Sequence, residues 1–571
     1  MRIGWDVPIA MDDGVVLRAD VFRPQQPGRY PVLLSCGPYA KGLAFQEGYP
    51  DQWRILAENH PDALEGSSNA YQNWETVDPE RWVPDGYACV RVDSRGAGRS
   101  PGYLDPFSPR ETRDLLTCIE WAGTRRWSNG NVGLAGISYY AINQWHVASL
   151  GPAHLKAICP WEGAADWYRD MTHHGGIVCT FWENWYRKQV RSVQHGVGDR
   201  GFQSPITGRP AAGPETLLED ELACNCTNLG RDIISHSVDD DYHRERSPTW
   251  ERVTVPMLSC ANWGGQGLHS RGNFEGFTRA ASEHKWLEVH GLEHWTEFYT
   301  RYGMTLQKRF FDRFLKGENN DWDHQPRVLL QVRTVDGFVE RAESEWPLAR
   351  TEWTRLYVDP LERMLRDEPL GEEGSVGYHA SGDGVTFSSP PLEAETEITG
   401  PVAAKLFVSS STTDADLFLV LRVFDRGGEE VVFQGALDPH TPVGQGWLRA
   451  SHRKLDPGHT LEHRPYHAHD EVQPLEPGEI YELDVEIWPT CIVVPSGYRI
   501  ALTVRGTDYR HEGEGASLGS FAHVMTGSGP FLHDDREDRP PETFGGTVTV
   551  HAGRERTSYV LLPVVPAKRA P

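Results

Sequence analysis

Ser138 is the residue of this 571-residue chain whose setting points most directly to chemistry. It lies in the stretch Asn131–Trp145, between an apolar run and a segment whose apolar residues recur at helical spacing. This pattern predicts a strand, a sharp turn and a helix, with the serine at the apex. Small residues are needed beside such a serine because the two backbones crowd there, and Gly136 meets that need. The small residue expected after the serine comes one position late, at Ala141, so the G-x-S-x-G pattern is met in part.

A serine on such a turn is suited to nucleophilic acyl transfer. Its hydroxyl would be exposed at a helix N-terminus, and the N–H of Tyr139 would be free to meet an oxyanion. Hydrolysis by an activated serine needs three further parts: a base, a carboxylate that holds the base, and donors for the oxyanion. The plainer alternative is a serine in an ordinary helix-capping turn.

His294 is the candidate base. Residues 284–295 read H-K-W-L-E-V-H-G-L-E-H-W, so His290 and His294 are four apart, as in a helical metal pair. Gly291 would interrupt such a helix, and the order of residues is not the H-E-x-x-H of zinc proteases. The interpretation we favour is a strand that ends in a loop carrying His294 as a catalytic histidine.

The longer string G-I-S-Y-Y-A-I-N-Q-W, residues 136–145, resembles the nucleophile segment of the cocaine-esterase/X-Pro dipeptidyl-peptidase group of α/β-hydrolases, the CocE/NonD or S15-type family. In that group the serine sits in G-x-S-Y, followed by a small residue and then Q-W. The resemblance implies that Ser138 is the nucleophile and His294 its base. It also implies that Tyr39, which follows P-V-L-L and precedes a lysine by two residues, donates its phenol to the oxyanion hole beside the Tyr139 N–H. A tyrosine stacked on a loop is the alternative.

The resemblance fails at the triad acid. The group's aspartate usually lies in a G-W-Y-D-G string, which aligns here with residues 261–265 and places Gly264 at the aspartate. We therefore predict a displaced acid, Glu162, at the end of the strand that follows the elbow strand. Asp166 is the next candidate, and a loop-capping role for Glu162 is the alternative. The prediction requires a Glu162 oxygen within about 3.2 Å of one His294 nitrogen, with the other nitrogen facing the serine.

Alternating strands and helices in the first half of the chain predict an α/β-hydrolase core, a doubly wound and mostly parallel sheet. From about residue 171 the pattern changes to aromatic helical pieces, which indicate a helical cap inserted into that core. From Pro326 onward alternating strands lie between Gly, Pro and Asp turns, and this part resembles the jelly-roll β-sandwich domain of the same group. The expected domains are the hydrolase core at 1–170 and 251–322, the helical cap at 171–250 and the jelly roll at 323–571.

Composition limits the partners of the protein. The formal charge of −25 argues against nucleic acid or an anionic membrane as the main partner. No apolar run approaches the length of a bilayer crossing, and nine scattered cysteines suggest reduced thiols rather than a disulfide framework. We expect a cytoplasmic protein that needs no metal or organic cofactor and acts on a small acyl substrate, with homo-oligomerisation left open.

The resemblance implies a serine hydrolase that cleaves ester or amide bonds of a small molecule through an acyl-enzyme. An X-Pro dipeptidyl-peptidase is less favoured, because that activity resembles longer chains with an added N-terminal domain. An acylase like the α-amino acid ester hydrolases would need carboxylates near the serine to hold the substrate ammonium. A non-catalytic binding protein on a hydrolase scaffold is the alternative from another class.

Overall fold

The computed structural model describes residues 1–566. Within that range the strands are β1 (Arg2–Ala10), β2 (Val16–Arg23), β3 (Tyr30–Gly37), β4 (Ala88–Asp93), β5 (Ser128–Ile137), β6 (Leu155–Trp161), β7 (His173–His174), β8 (Ile177–Val178), β9 (Met257–Asn262), β10 (Lys285–His290), β11 (Val328–Thr334), β12 (Gly337–Glu343), β13 (Glu352–Asp359), β14 (Met364–Arg366), β15 (Gly374–His379), β16 (Val385–Ser388), β17 (Thr396–Ser410), β18 (Asp416–Phe424), β19 (Gly444–Arg449), β20 (Tyr481–Val494), β21 (Arg499–Arg505), β22 (Thr547–Ala552) and β23 (Tyr559–Val565). The α-helices are α1 (Phe45–Gly48), α2 (Pro50–Asn59), α3 (Pro79–Trp82), α4 (Pro109–Gly123), α5 (Tyr139–Ala148), α6 (Phe181–Trp185), α7 (Glu219–Cys224), α8 (Leu229–Ser235), α9 (Asp241–Arg244), α10 (Ser270–Arg279), α11 (Thr296–Tyr299), α12 (Arg301–Phe311) and α13 (Pro541–Phe544). Across these described residues, no helix has both the length and the apolar composition that a bilayer crossing requires.

A mixed sheet forms the N-terminal half of the molecule. Its strands lie in the order β1, β2, β4, β3, β5, β6, β9, β10, β11, β12. The pairings from β4 through β11 are parallel, and the three pairings at the two edges are antiparallel. Parallel neighbours need crossover connections, and helices α4, α5 and α10 pack on the sheet strands in that role. This is the mostly parallel, doubly wound sheet that the sequence predicts.

The central strands of this sheet are buried on both faces, as their apolar sequences require. Every residue of β4 is buried, and so is every residue of β3 after its first. The strand ends meet at one edge, because the register pairs Ile137 with Trp161, Trp161 with Cys260, and His290 with Asn262. Side chains that directly follow β5, β6, β9 and β10 are therefore brought together.

Between β6 and β9 the chain leaves the sheet and forms short helices, the β7–β8 hairpin and connecting turns. The longest α-helix of this segment, α8, has 7 residues. Several aromatic side chains of the segment are buried, among them Trp182 and Trp185 of α6. The segment therefore packs as an ordered part of the molecule through aromatic contacts rather than through long helices.

The strands after β12 form the C-terminal half. Strand β17 pairs with β20, β22 and β23, while β21 pairs with β16 and β18. All of these pairings are antiparallel, and aliphatic side chains from these strands share one buried core. The last five residues of the expected 323–571 domain, 567–571, lie outside the described residues.

Candidate active site

Ser138 lies at the turn between β5 and α5, with φ 54° and ψ −114°. Its backbone N–H donates to the Trp161 carbonyl at 3.1 Å, which ties the turn to the end of β6. Crowding at this point explains why a small residue follows the serine at position 141. A Cβ added to Gly163 would lie 2.9 Å from the Cβ of Ala141, so neither position has room for a larger side chain.

Backbone strain marks three polar residues around this turn. Ser138, Glu75 and Glu162 all have positive φ, at 54°, 61° and 50°. For residues other than glycine, such conformations cost about 1–3 kcal/mol each and persist only when the surroundings enforce them. Strain of this kind collects at functional sites, and these three are among eleven described non-glycine residues with positive φ.

Two hydrogen-bond donors are available for an oxyanion. The N–H of Tyr139 is the first in α5, where a helix offers no internal acceptor. The hydroxyl of Tyr39 accepts a bond from the Trp185 indole N–H at 3.0 Å, which leaves its own O–H to donate. Burial raises the pKa of Tyr39 well above its usual value, so this phenol keeps its proton at neutral pH.

The ring in contact with the serine is His269. Its Nε2 lies 3.1 Å from the Ser138 Oγ, and its Nδ1 is buried without a hydrogen-bond partner among residues 1–566. The His269 ring stacks on the His294 ring with 4.4 Å between centroids and 25° between planes. Burial and the neighbouring His294 lower the pKa of His269 well below 6.5, so it is uncharged.

His294 is held between two carboxylates. Its Nδ1 lies 2.8 Å from the Glu162 Oε2, within the distance that the sequence analysis requires. Its Nε2 lies 3.0 Å from the Glu75 Oε1 and not against Ser138, which differs from the expected arrangement. The physical reason is that His269 already makes the hydrogen bond to the Ser138 Oγ, and the His294 ring stacks against the His269 ring.

The contacts continue on the far side of Glu162. His290 Nε2 lies 2.9 Å from the Glu162 Oε1, and His290 Nδ1 lies 2.7 Å from the Glu288 Oε2. The five buried groups thus alternate in the order Glu288, His290, Glu162, His294, Glu75. Both nitrogens of each histidine face a carboxylate, which favours the doubly protonated imidazolium.

The pKa values follow from this alternation. Burial works against the charge of Glu162, but His294 and His290 outweigh it and lower its pKa to about 2. Burial likewise opposes the cations, but the carboxylates outweigh it and raise the pKa of His294 to about 9 and that of His290 to about 10. Burial raises the pKa of Glu75 to about 7, so this carboxyl gains or loses its proton near neutral pH.

Gly264, at the position of the resembled group's aspartate, has no space for a side chain. A Cβ added there would lie 2.3 Å from the Cα of Gly435. The adjoining loop of the C-terminal half is fixed in place, because the Ala436 N–H donates to the Gly264 carbonyl at 3.0 Å and the His294 N–H donates to the Ala436 carbonyl at 2.9 Å. A carboxylate can therefore reach His294 from β6 but not from position 264.

The serine opens into a narrow aromatic pocket with a volume of about 30 Å³. Trp74, Trp182 and Trp185 line it from the N-terminal half, and Leu437 and Phe521 line it from the C-terminal half. Both halves of the chain therefore shape the space in which a substrate would lie.

Two other carboxylates, the second candidate Asp166 and the neighbour of His294 in sequence, Glu293, lie elsewhere. Asp166 accepts bonds from the Tyr168 and Arg169 N–H groups and so caps the segment that follows β6. Glu293 accepts a bond from the Thr296 hydroxyl at 2.9 Å. Neither of them contacts the histidines that face the pocket in the described part of the chain.

Sequence reasoning missed His269 and Glu75. His269 follows β9, and a polar residue after a parallel strand at the ligand-binding edge was a usable signal. Glu75 lies in the segment 42–80, which has no periodicity, so no local pattern marks it.

One donor atom each from Glu162, His269 and His294 lies within 4.8 Å of the others, a spacing that a metal ion also tolerates. Glu162 and His294 already neutralise each other, so their contacts are explained without an ion.

Two family models match the chain. Residues 13–296 match the X-Pro dipeptidyl-peptidase (S15 family) model, and residues 320–561 match the X-Pro dipeptidyl-peptidase C-terminal non-catalytic domain. The boundary between the two matches falls close to the start of β11.

Individual proteins agree with this assignment. The chain is 26% identical to the cocaine esterase of Rhodococcus sp. (strain MB1 Bresler), over 99% of this chain and 98% of that protein. It is 25% identical to a putative Xaa-Pro dipeptidyl-peptidase of Streptomyces avermitilis, over 86% of this chain and 76% of that protein. The crystal structure of a CocE/NonD family hydrolase from Staphylococcus aureus superposes with a TM-score of 0.83 at 32% identity, covering 99% of this chain and 94% of that one. The chain therefore belongs to the CocE/NonD family of hydrolases and is a serine hydrolase of ester or amide bonds.

Proposed function

We propose that the protein hydrolyses small esters or amides with an apolar acyl part, through an acyl-enzyme on Ser138. The observation that carries the proposal is the strained Ser138 turn at the wall of a narrow aromatic pocket. The tryptophans that line this pocket favour apolar or aromatic groups.

In the proposed reaction the Ser138 hydroxyl gives its proton to the catalytic histidine as the Oγ bonds to the substrate carbonyl carbon, and the electrons of the carbonyl π bond move to its oxygen. The Tyr139 N–H and the Tyr39 hydroxyl stabilise the oxyanion that results. The bond to the alcohol or amine then breaks as that group receives a proton from the histidine. Water next gives a proton to the histidine and attacks the acyl-enzyme, and the Ser138 oxygen leaves with that proton as the acid is released.

We assign the base to His294, with Glu162 as its carboxylate partner. Glu162 stabilises the imidazolium that forms during proton transfer, whereas the Nδ1 of His269 has no such partner in residues 1–566. A protonated His269 would also stack its charge on His294 at 4.4 Å. In the resting site His294, with a pKa of about 9, keeps its Nε2 proton beside Glu75, with a pKa of about 7. Loss of that proton to solvent gives the neutral ring that acts as base, and its remaining proton faces Glu162. Once substrate is bound, the His294 Nε2 leaves Glu75 and forms its hydrogen bond with Ser138. In the resting enzyme His269 makes the hydrogen bond to Ser138 instead.

Replacing each histidine by alanine tests this assignment. His294→Ala should lower kcat by about 10⁴-fold, the usual effect of removing a triad member, while His269→Ala should cost about 10²-fold or less. The reverse order of effects would assign the base to His269, which contacts Ser138 directly.

A fluorophosphonate probe tests the activity as a whole. It should label Ser138 stoichiometrically and abolish hydrolysis of p-nitrophenyl esters, anilides or β-lactam acyl donors, whichever of these are turned over. Ser138→Ala should neither react with the probe nor turn over substrate. An unlabelled wild-type serine would favour the binding-protein alternative.

Glu75 favours a second candidate, the hydrolysis of α-amino acyl substrates. Its Oε2 has no well-formed hydrogen bond within residues 1–566, although the Trp74 indole also faces the carboxylate. Glu75 is buried and lines the pocket, so it can receive a substrate ammonium. Glu75→Gln should lower kcat/KM for an α-amino ester more than for the same ester without the amine. An equal loss for both esters would exclude this candidate.

We also propose the domain organisation of the chain and the cellular compartment of the protein. Residues 171–250 act as a helical cap, which their short helices between β6 and β9 support. The jelly roll expected at 323–571 begins after β12, because β11 and β12 belong to the sheet of the N-terminal half, and the antiparallel strands that follow support it. A cytoplasmic location is supported by the nine cysteines, all of which are free thiols.

A further inference from the structure

A second buried cluster lies apart from the residues of the proposed mechanism and contains His174, Cys179 and His533. These side chains are exposed by 1%, 2% and 0%. One donor atom from each lies within 4.8 Å of the donor atoms of the other two. The cluster joins the segment after β6 to the C-terminal half of the chain.

The β7–β8 hairpin brings His174 and Cys179 together. Gly175 and Gly176 form its turn, with φ of 57° and 95° that other residues rarely adopt. A Cβ on Gly175 would also lie 2.0 Å from the Trp447 carbonyl oxygen. The Cys179 N–H then donates to the Thr172 carbonyl at 2.9 Å, so the thiol has a fixed position beside the histidine.

The protonation of the two histidines leaves a conflict between them. His533 Nδ1 lies 2.8 Å from the Asp508 carboxylate, which can only accept, so this nitrogen carries the proton and Nε2 carries a lone pair. His174 Nε2 lies 3.2 Å from the Asp170 carbonyl, and in the tautomer that donates to this carbonyl His174 Nδ1 carries a lone pair. Yet His174 Nδ1 and His533 Nε2 face each other at 2.8 Å.

In these tautomers two lone pairs face each other, and a cation between them would satisfy both. An extra proton would create a buried imidazolium, which the apolar surroundings disfavour. Trp447 and Trp488 lie 4.9 Å and 5.5 Å from the His174 ring, so water has little access to that side. A metal ion would satisfy both lone pairs, and the other ring nitrogens already make the outer hydrogen bonds that orient histidine ligands.

We propose that His174 Nδ1, His533 Nε2 and Cys179 Sγ bind a zinc ion that links the two halves of the chain. Two imidazoles and one thiolate form a donor set that suits Zn²⁺. On binding, the Cys179 S–H loses its proton to solvent and a sulfur–metal bond takes its place. Tetrahedral bonds of about 2.0–2.1 Å place two nitrogens roughly 3.3 Å apart, so the histidine rings separate slightly.

Metal content and cobalt spectroscopy of the full chain test this proposal. Protein loaded with Zn²⁺ and dialysed against buffer should retain one ion per chain, as measured by inductively coupled plasma mass spectrometry. Replacement by Co²⁺ should give a near-ultraviolet thiolate-to-cobalt charge-transfer band. A metal bound instead by Glu162, His269 and His294 would lack this band, because that group contains no thiol.

Cys179→Ser should abolish the band and lower the retained metal at least tenfold, and His533→Gln should lower the metal similarly. Cys36→Ser, at another buried free thiol, is the matched control and should keep both the band and the metal. Circular dichroism checks that each variant is folded. A wild-type protein that retains no stoichiometric metal, or a band unchanged in Cys179→Ser, would overturn the proposal and leave a shared proton between the histidines.

Discussion

Gly264 and Gly435 approach so closely that a Cβ on Gly264 would lie 2.3 Å from the Cα of Gly435. The C-terminal half therefore occupies the space that a side chain at position 264 would need. The carboxylate on His294 comes instead from Glu162, at the end of β6. Domain packing and the source of the proposed triad acid are thus linked at one contact.

Gly264→Asp should destabilise the protein rather than restore an acid at this position. Overpacking of this kind typically costs about 1–3 kcal/mol, and the free energy of unfolding in urea measures it. Gly371→Asp is the matched control, because a Cβ at Gly371 has no atom within 4 Å. A Gly264→Asp variant as stable as the wild type, with a higher kcat, would contradict this reading of the contact.

Glu162→Gln should lower kcat by about 10⁴-fold, because an amide cannot stabilise the His294 imidazolium and favours the wrong tautomer. The turnover of a p-nitrophenyl ester at saturating substrate measures this effect. Glu293→Gln is the control next to His294 in sequence, and it should stay within about tenfold since Glu293 bonds to Thr296. Equal effects of the two substitutions would remove the proposed role of Glu162.

Tyr39→Phe should lower kcat by about 10²–10³-fold with little change in KM, because it removes a donor that acts on the oxyanion. Tyr49→Phe is a suitable control, since Tyr49 is also buried and its hydroxyl bonds to Gln189 at 3.3 Å. If Tyr39→Phe changes KM alone, Tyr39 packs against the substrate and does not donate to the oxyanion.

His290 should make the stability of the protein depend on pH in the alkaline range. Burial opposes its charge, but Glu288 and Glu162 raise its folded pKa to about 10, compared with roughly 6.5 in an unfolded chain. A raised pKa means that the protonated form stabilises the fold. This contribution is fully present below about pH 6.5 and is lost as the pH rises through about 10.

Urea unfolding at several pH values between these limits measures the effect. The free energy of unfolding of the wild type should fall as the pH rises, and His290→Gln should fall less steeply. His284→Gln is a control at an exposed histidine just before the same strand, and it should keep the wild-type slope. Identical slopes for the wild type and His290→Gln would show that His290 is not protonated in the folded state.

The local sequence determined the elements and their order. An apolar run followed by helical periodicity predicted β5 and α5 around Ser138, because strand and helix spacings are local properties. The same reasoning placed Glu162 at the end of β6, and the sheet register then brings it to within 2.8 Å of His294. Parallel strands make this inference possible, since their carboxyl ends share an edge.

The tertiary structure alone decided which groups meet inside that edge. Ser138 and His269 are 131 positions apart, and His294 and Glu75 are 219 apart, so no local pattern relates them. Their contacts depend on how loops pack and which rotamers the burial permits. The place of His269 beside the serine, the carboxylates on both sides of His294 and the glycine contact at 264 all arise from packing between distant segments, which residue spacing does not encode.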